Sequence, residues 1–191
     1  HPRRCLGELS DSSTQTVIDV VPLAVLFDLD GTLIDTAPEF VAIGLQLRQA
    51  AGLPAIAPEA IRSSVSDGAM GMVAAALDMT TTDATFEDWR QRFLNDYEKG
   101  LGQHSAPYPG LPKLVSALAS AGIKWGVVTN KLGRFAHPLM AKMAFGPPAD
   151  VVITPDDVRH PKPHPESLIL ACKRLNCPPD RTVFVGDHLR D

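Results

Sequence analysis

Leu23 to Phe27 is an unbroken apolar run that ends in two acids one residue apart, Asp28 and Asp30, with Gly31 directly behind them. A short run without polar interruption has the composition of a strand buried on both faces, as in a parallel sheet covered by helices on either side. In extended backbone, residues two apart point the same way. Asp28 and Asp30 therefore reach one point beyond the strand's carboxyl edge, which is where open α/β sheets hold ligands. Two carboxylates so close repel each other, and a divalent cation relieves that repulsion. A calcium loop is the rival pattern, because Glu39 stands twelfth counting from Asp28. It fails on two counts: Gly31 falls at position four where that loop needs glycine at six, and a strand precedes it instead of a helix.

The next stretch reads as helical. Asp35 or Thr36 can cap a helix whose first turn holds Pro38 and Glu39. Phe40, Ile43, Leu47 and Ala51 follow at helical spacing until Gly52-Leu53-Pro54. A second helix is predicted from Pro58 to Val65; Ser66 to Ala69 interrupts it, and Met70 to Leu77 resumes it. Asp83 to Lys99 carries Phe86, Trp89, Phe93 and Tyr97 on one stripe, a packing pattern. From Pro107 the texture alternates. Helix faces are predicted around Leu111 to Leu118, Arg134 to Ala144 (with Pro138 kinking the helix or delaying its start) and Leu168 to Leu175. Strands are predicted at Ile123–Val128, Val151–Ile153 and Thr182–Val185. Such alternation builds a parallel sheet through right-handed crossovers.

Each strand end then offers a polar residue on one sheet edge: Asp28 and Asp30, Thr129, Lys162 a loop beyond the third strand, and Asp187 with Asp191 four residues on. In order, these are Asp28-x-Asp30-Gly31-Thr32, Thr129-Asn130, Lys162-Pro163 and Gly186-Asp187-x-x-x-Asp191. This four-motif series, from about Leu23 to Asp191, resembles the haloacid dehalogenase superfamily, most of whose members are phosphatases. The resemblance implies an α/β fold with a Rossmann-like parallel sheet core and a small α-helical cap inserted after the first strand. It divides the chain into a tail (1–21), the core (22–37 and 104–191) and the cap (38–103). Relatives continue for a further helix and usually a fifth strand, so the core is expected to be incomplete at its C-terminal end.

The resemblance also assigns roles. Asp28 is the expected nucleophile, passing through an aspartyl-phosphate. Asp30 is the expected acid and base, and Lys162 offsets negative charge. Thr129, the Asn130 backbone N–H and Lys162 are expected to hold the phosphoryl oxygens. Mg2+ suits an all-oxygen site, with Asp28, the Asp30 carbonyl, Asp187 and Asp191 as its expected ligands. The histidines at 137, 160, 164 and 188 are read as surface or supporting groups, with His188 set apart because it lies inside the fourth motif.

The bulk numbers exclude some partners. Net charge is −4 and no basic cluster advertises nucleic acid or an anionic membrane. No apolar stretch approaches membrane-spanning length. Cys5, Cys172 and Cys177 have neither zinc nor thioredoxin spacing, which with the lack of a signal sequence favours a cytoplasmic protein, monomer or homodimer.

A helical cap that closes over the site favours a small soluble phosphomonoester. The chain resembles phosphoglycolate phosphatases first, and alternatively the branch that acts on N-acetylmuramic acid 6-phosphate in cell-wall recycling. The stretches that carry this likeness are Ser66 to Met70, Val128 to Lys131 with Arg134-Phe135-Ala136, and Gly186 to Asp191. A phosphoglucomutase-like transferase shares all four motifs. A non-catalytic phosphate- or metal-binding relative would be expected to have lost Asp28, which is present. Both leading substrates carry a carboxylate besides the phosphate, so a cation near the cap is expected from Lys131, Arg134 or Arg62, with Gly68 also at the substrate.

Overall fold

The computed structural model describes residues 21–191; the tail expected at 1–21, Val21 apart, lies outside them. Along the chain the elements are β1 (Ala24–Phe27), β2 (Ile34–Asp35), α1 (Ala37–Ala50), α2 (Pro58–Arg62), α3 (Gly68–Leu77) and α4 (Phe86–Gly100). They continue with β3 (Ala106–Pro107), α5 (Leu111–Ser120), β4 (Lys124–Val128), α6 (Gly133–Lys142), β5 (Val151–Ile153), α7 (Glu166–Leu175) and β6 (Thr182–Val185).

β1 lies inside a four-stranded parallel sheet of order β5-β4-β1-β6. Its alternation explains the continuous apolar run, because each face of the strand meets its own core. Ala24 and Leu26 pack with Val128, Ile153, Ala171 and Leu175, while Val25 and Phe27 join the larger cluster with Val127, Leu139 and Trp125. From β1 the chain steps outward through β4 to β5, then returns to β1's other side as β6. That reversal leaves a crevice at the carboxyl end of β1, the place where α/β sheets bind ligands. Asp28, Thr129 and Gly186-Asp187 directly follow three neighbouring strands at that edge.

Helices α1 to α4 pack on one another as the cap. Ile43, Leu47, Ile61, Met72 and Ala76 fill its interior. Gly44 admits the close approach of Ile61, whose methyl carbons stand 3.1 and 3.3 Å from where a Cβ would be. The aromatic stripe does pack: Phe86, Phe93 and Tyr97 are buried. Phe40 meets Phe93 and Tyr97 at ring separations of 6.1 and 4.8 Å, and Tyr97 crosses to Phe135 of α6 at 5.2 Å, edge to face.

Several boundaries differ from expectation. The second helix stops at Arg62, not Val65; a 3-10 turn covers Val65–Asp67, and α3 starts within the expected interruption, at Gly68. Pro138 neither delays nor ends α6; it sits inside the helix, on an exposed face. The antiparallel pair β2–β3, through which the chain leaves for the cap and returns, was not foreseen. Two residues per strand are too few to leave a periodic signal.

Glu39 fastens that crossing. It is 1% exposed, accepts the Gly102 N–H at 2.8 and 3.1 Å, and accepts the Ser105 hydroxyl. Its place in the sequence reflects this anchor between α1 and the returning chain, not a calcium ligand. Glu39→Ala leaves a half-buried amide and the Ser105 hydroxyl without their acceptor and is expected to cost about 2–4 kcal/mol. A urea melt should show a lower midpoint at unchanged slope; a loss below about 0.5 kcal/mol, the scatter of ordinary surface changes, contradicts this role.

Candidate active site

The Lys162 ammonium is the centre of the site. Its side chain is 2% exposed and its Nζ stands 3.0 Å from Asp28 Oδ1 and 2.6 Å from Asp191 Oδ1. The loop after β5 delivers it, and the Asn130 side-chain amide at the end of β4 fixes that loop by donating to the Lys162 carbonyl at 2.8 Å. The sequence had offered Asn130 for its backbone N–H; its side chain has this further task. Asp28 Oδ1 also accepts the Leu29 N–H at 2.7 Å.

The two carboxylates that share this cation shift in opposite directions. Burial pushes Asp28 above its ordinary pKa, against the pull of Lys162 and the Leu29 N–H. Burial pushes Asp191 the same way, but the short bond from Lys162 and the His188 N–H at 2.9 Å hold it below the usual carboxylate value.

Asp28, Asp187 and Asp191 each bring a carboxylate oxygen within 4.8 Å of the others. Three hard oxygens so placed fit Mg2+. Asp187 Oδ1 accepts the Thr32 hydroxyl at 2.9 Å. Two glycines make room for these acids. A Cβ on Gly31, which has φ of 80°, would lie 2.4 Å from an Asp187 oxygen, and one on Gly186 would lie 2.4 Å from Asp191.

Asp30 is held separately. The buried Lys131 ammonium contacts its two oxygens at 2.9 and 3.1 Å and lies over the Tyr97 and Phe40 rings at 4.6 and 4.9 Å. Thr129 is buried beside it, and its hydroxyl accepts the Lys131 N–H at 3.1 Å. A cleft of about 320 Å³ opens above, with Asp28, Asp30, Thr129 and Asp187 at its base and Phe93 and Tyr97 of the cap facing them.

The expected carboxylate-binding cations fall in different places. Lys131 lines the cleft, but Asp30 and two aromatic faces already occupy its charge. Arg134 and Arg62 are exposed and outside the cleft lining, whereas Gly68 is in it. The arginines that do line it are Arg90 and Arg190. Arg190 Nε donates to His188 Nδ1 at 3.1 Å, and its Nη2 reaches the Ser66 carbonyl of the cap. Both were legible in principle: Arg90, Phe93 and Tyr97 share a helix face, and Arg190 lies inside the fourth motif.

Residues 25–191 match the family described as haloacid dehalogenase-like hydrolase. Over 168 residues the chain is 47% identical to the N-acetylmuramic acid 6-phosphate phosphatase of Pseudomonas aeruginosa, covering 88% of this chain and 74% of that protein. Over 173 residues it is 36% identical to a phosphoglycolate phosphatase of Xanthomonas campestris pv. campestris, covering 89% and 76%. The solved structure of CbbY from Rhodobacter sphaeroides in complex with phosphate superposes with a TM-score of 0.67 at 26% identity, covering 88% of this chain and 79% of that one.

Gly31→Ala tests the packing of the acid cluster. The left-handed φ strains any other residue and the added methyl meets Asp187, so a loss of about 1–3 kcal/mol is expected in denaturant melts. A stability equal to that of the unsubstituted protein would show that Asp187 need not lie against this turn.

Proposed function

The chain belongs to the haloacid dehalogenase-like hydrolases, a phosphatase of that family, and we propose that it removes the phosphate of N-acetylmuramic acid 6-phosphate with Mg2+ as cofactor. Asp28 attacks phosphorus while the ester bond to the sugar oxygen breaks, and the departing oxygen takes its proton from Asp30. Asp30 then takes a proton from the water that attacks the aspartyl-phosphate, freeing inorganic phosphate and restoring Asp28. Each acid has its own cation, Lys162 beside Asp28 and Lys131 beside Asp30. Lys162 and Thr129 offset and hold charge on the transferring phosphoryl group. Asp28, Asp187, Asp191 and the Asp30 carbonyl would hold Mg2+, which supplies further positive charge at the phosphoryl oxygens when bound.

The observation that carries the substrate is the cleft with Arg190 at its edge. At about 320 Å³ it is of the size at which small-molecule pockets begin, which suits a phosphorylated amino sugar better than a two-carbon phosphoacid. This reverses the order of the two readings drawn from the sequence, in line with the 47% against 36% identities. Among the described residues, Arg90 is paired by Glu87 at 2.7 and 2.8 Å and Lys131 by Asp30, while Arg190 has no carboxylate in ion-pair contact. Arg190 is therefore assigned to the lactyl carboxylate.

A comparison of kcat/KM on N-acetylmuramic acid 6-phosphate, phosphoglycolate and N-acetylglucosamine 6-phosphate, which lacks the lactyl group, tests this. A charged hydrogen bond of about 1.5–3 kcal/mol predicts a ten- to hundredfold preference for the first over the last, lost in Arg190→Met. Equal rates on the two sugars, or phosphoglycolate as the best substrate, would overturn the assignment.

A further inference from the structure

Outside the catalytic cluster, the loop that carries Lys162 gathers three more potential ligands. His160, His164 and Glu166 each offer an atom within 4.8 Å of the other two. His160 Nδ1 stands 3.0 Å from Glu166 Oε2, and His164 Nδ1 stands 4.0 Å from the same oxygen. The imidazole ring centroids stand 4.9 Å apart, with the ring planes tilted by 42°. In a tetrahedral site with bonds of about 2.0–2.1 Å, ligand atoms sit roughly 3.3 Å apart. The cluster thus needs side-chain adjustments of roughly 1–1.5 Å, and His164 Nδ1, which accepts the Glu166 N–H at 3.2 Å, must release that bond or present Nε2 instead.

Two features pre-organise it. Pro161, Pro163 and Pro165 fix φ at alternate positions between the ligands, so little freedom remains to be lost on binding. Glu166 is oriented from behind: its carboxylate accepts the Arg159 N–H at 3.0 Å and the His160 N–H at 3.1 Å. Hydrogen-bonded carboxylates of this kind are usual around bound metals. The histidines are open to an incoming ion, with side chains 65% and 54% exposed.

We propose that His160, His164 and Glu166 form a second cation site, specific for a borderline transition-metal ion of the zinc class. Two imidazoles and one carboxylate suit Zn2+, Co2+ or Ni2+ and disfavour Mg2+ and Ca2+, which take oxygen ligands. The site therefore differs in chemistry from the all-oxygen cluster at Asp28, Asp187 and Asp191. Its ligands flank Lys162 in sequence, so a bound ion stiffens the loop that delivers the ammonium to Asp28 and Asp191.

The test is Zn2+ binding to the full chain by calorimetry in millimolar Mg2+, which keeps the carboxylate cluster supplied with its own ion. The unsubstituted protein is expected to bind Zn2+, and H160Q/H164Q to lower the affinity at least tenfold, since loss of even a ligand's supporting partner acts on that scale. Binding by H160Q/H164Q within threefold of the unsubstituted protein, or no Zn2+ uptake by the latter, would overturn the site. Should the double variant not fold, the unsubstituted protein decides. Zn2+ should then shift the ring resonances of His160 and His164 before those of any other histidine, and the reverse order overturns the proposal.

Discussion

The buried ammonium of Lys162 is the constraint on which the rest of the site depends. A charge removed from water costs several kcal/mol unless it is paired and hydrogen-bonded. Here it bridges Asp28, at the end of the central strand, and Asp191, beyond the last one. Neither acid could be held so far from solvent without it, and each strand must end in register for the three groups to meet. The β1 pairing with both β4 and β6 provides that register, and Asn130 ties the Lys162 loop to β4. The sheet is thus a device for bringing charges from three separate stretches of chain to one point.

The second cation, Lys131, connects that point to the cap. It joins Asp30 of the core to Phe40 and Tyr97 of the cap helices, and Tyr97 in turn packs on Phe135. An ammonium over aromatic faces is stabilised where bulk water is excluded. The placement of Asp30 is therefore coupled to how the cap sits. Glu39 acts at the other end of the same junction, where β2 and β3 carry the chain out and back. Arg190 adds a third link, from the fourth motif to Ser66.

Much of this was legible in the sequence, for identifiable reasons. The run before Asp28 is apolar on both faces of its strand, and that alone specifies a covered parallel sheet and locates the acids at its carboxyl edge. Thr129, Lys162 and Asp187 follow from strand–helix alternation, because each closes or follows a short β-branched or apolar segment. The partners of the cations were not legible. That Lys131 is taken by Asp30, 101 positions away, whereas Arg190 remains without an acid, depends on contacts between cap and core that no local spacing records. The β2–β3 hinge escaped because four residues carry no period. The helix boundary at Gly68 escaped because a 3-10 turn over Val65–Asp67 replaces the expected last turn of α2.

The central claim is that Asp28, held against Lys162, is the atom donor that attacks phosphorus. Acid quenching during a single turnover, followed by borohydride reduction and peptide mass analysis, tests it most directly. A phosphoryl group trapped on residue 28, read as homoserine at that position, is the predicted result. Release of phosphate at the catalytic rate with no reducible acyl phosphate on Asp28 would contradict it.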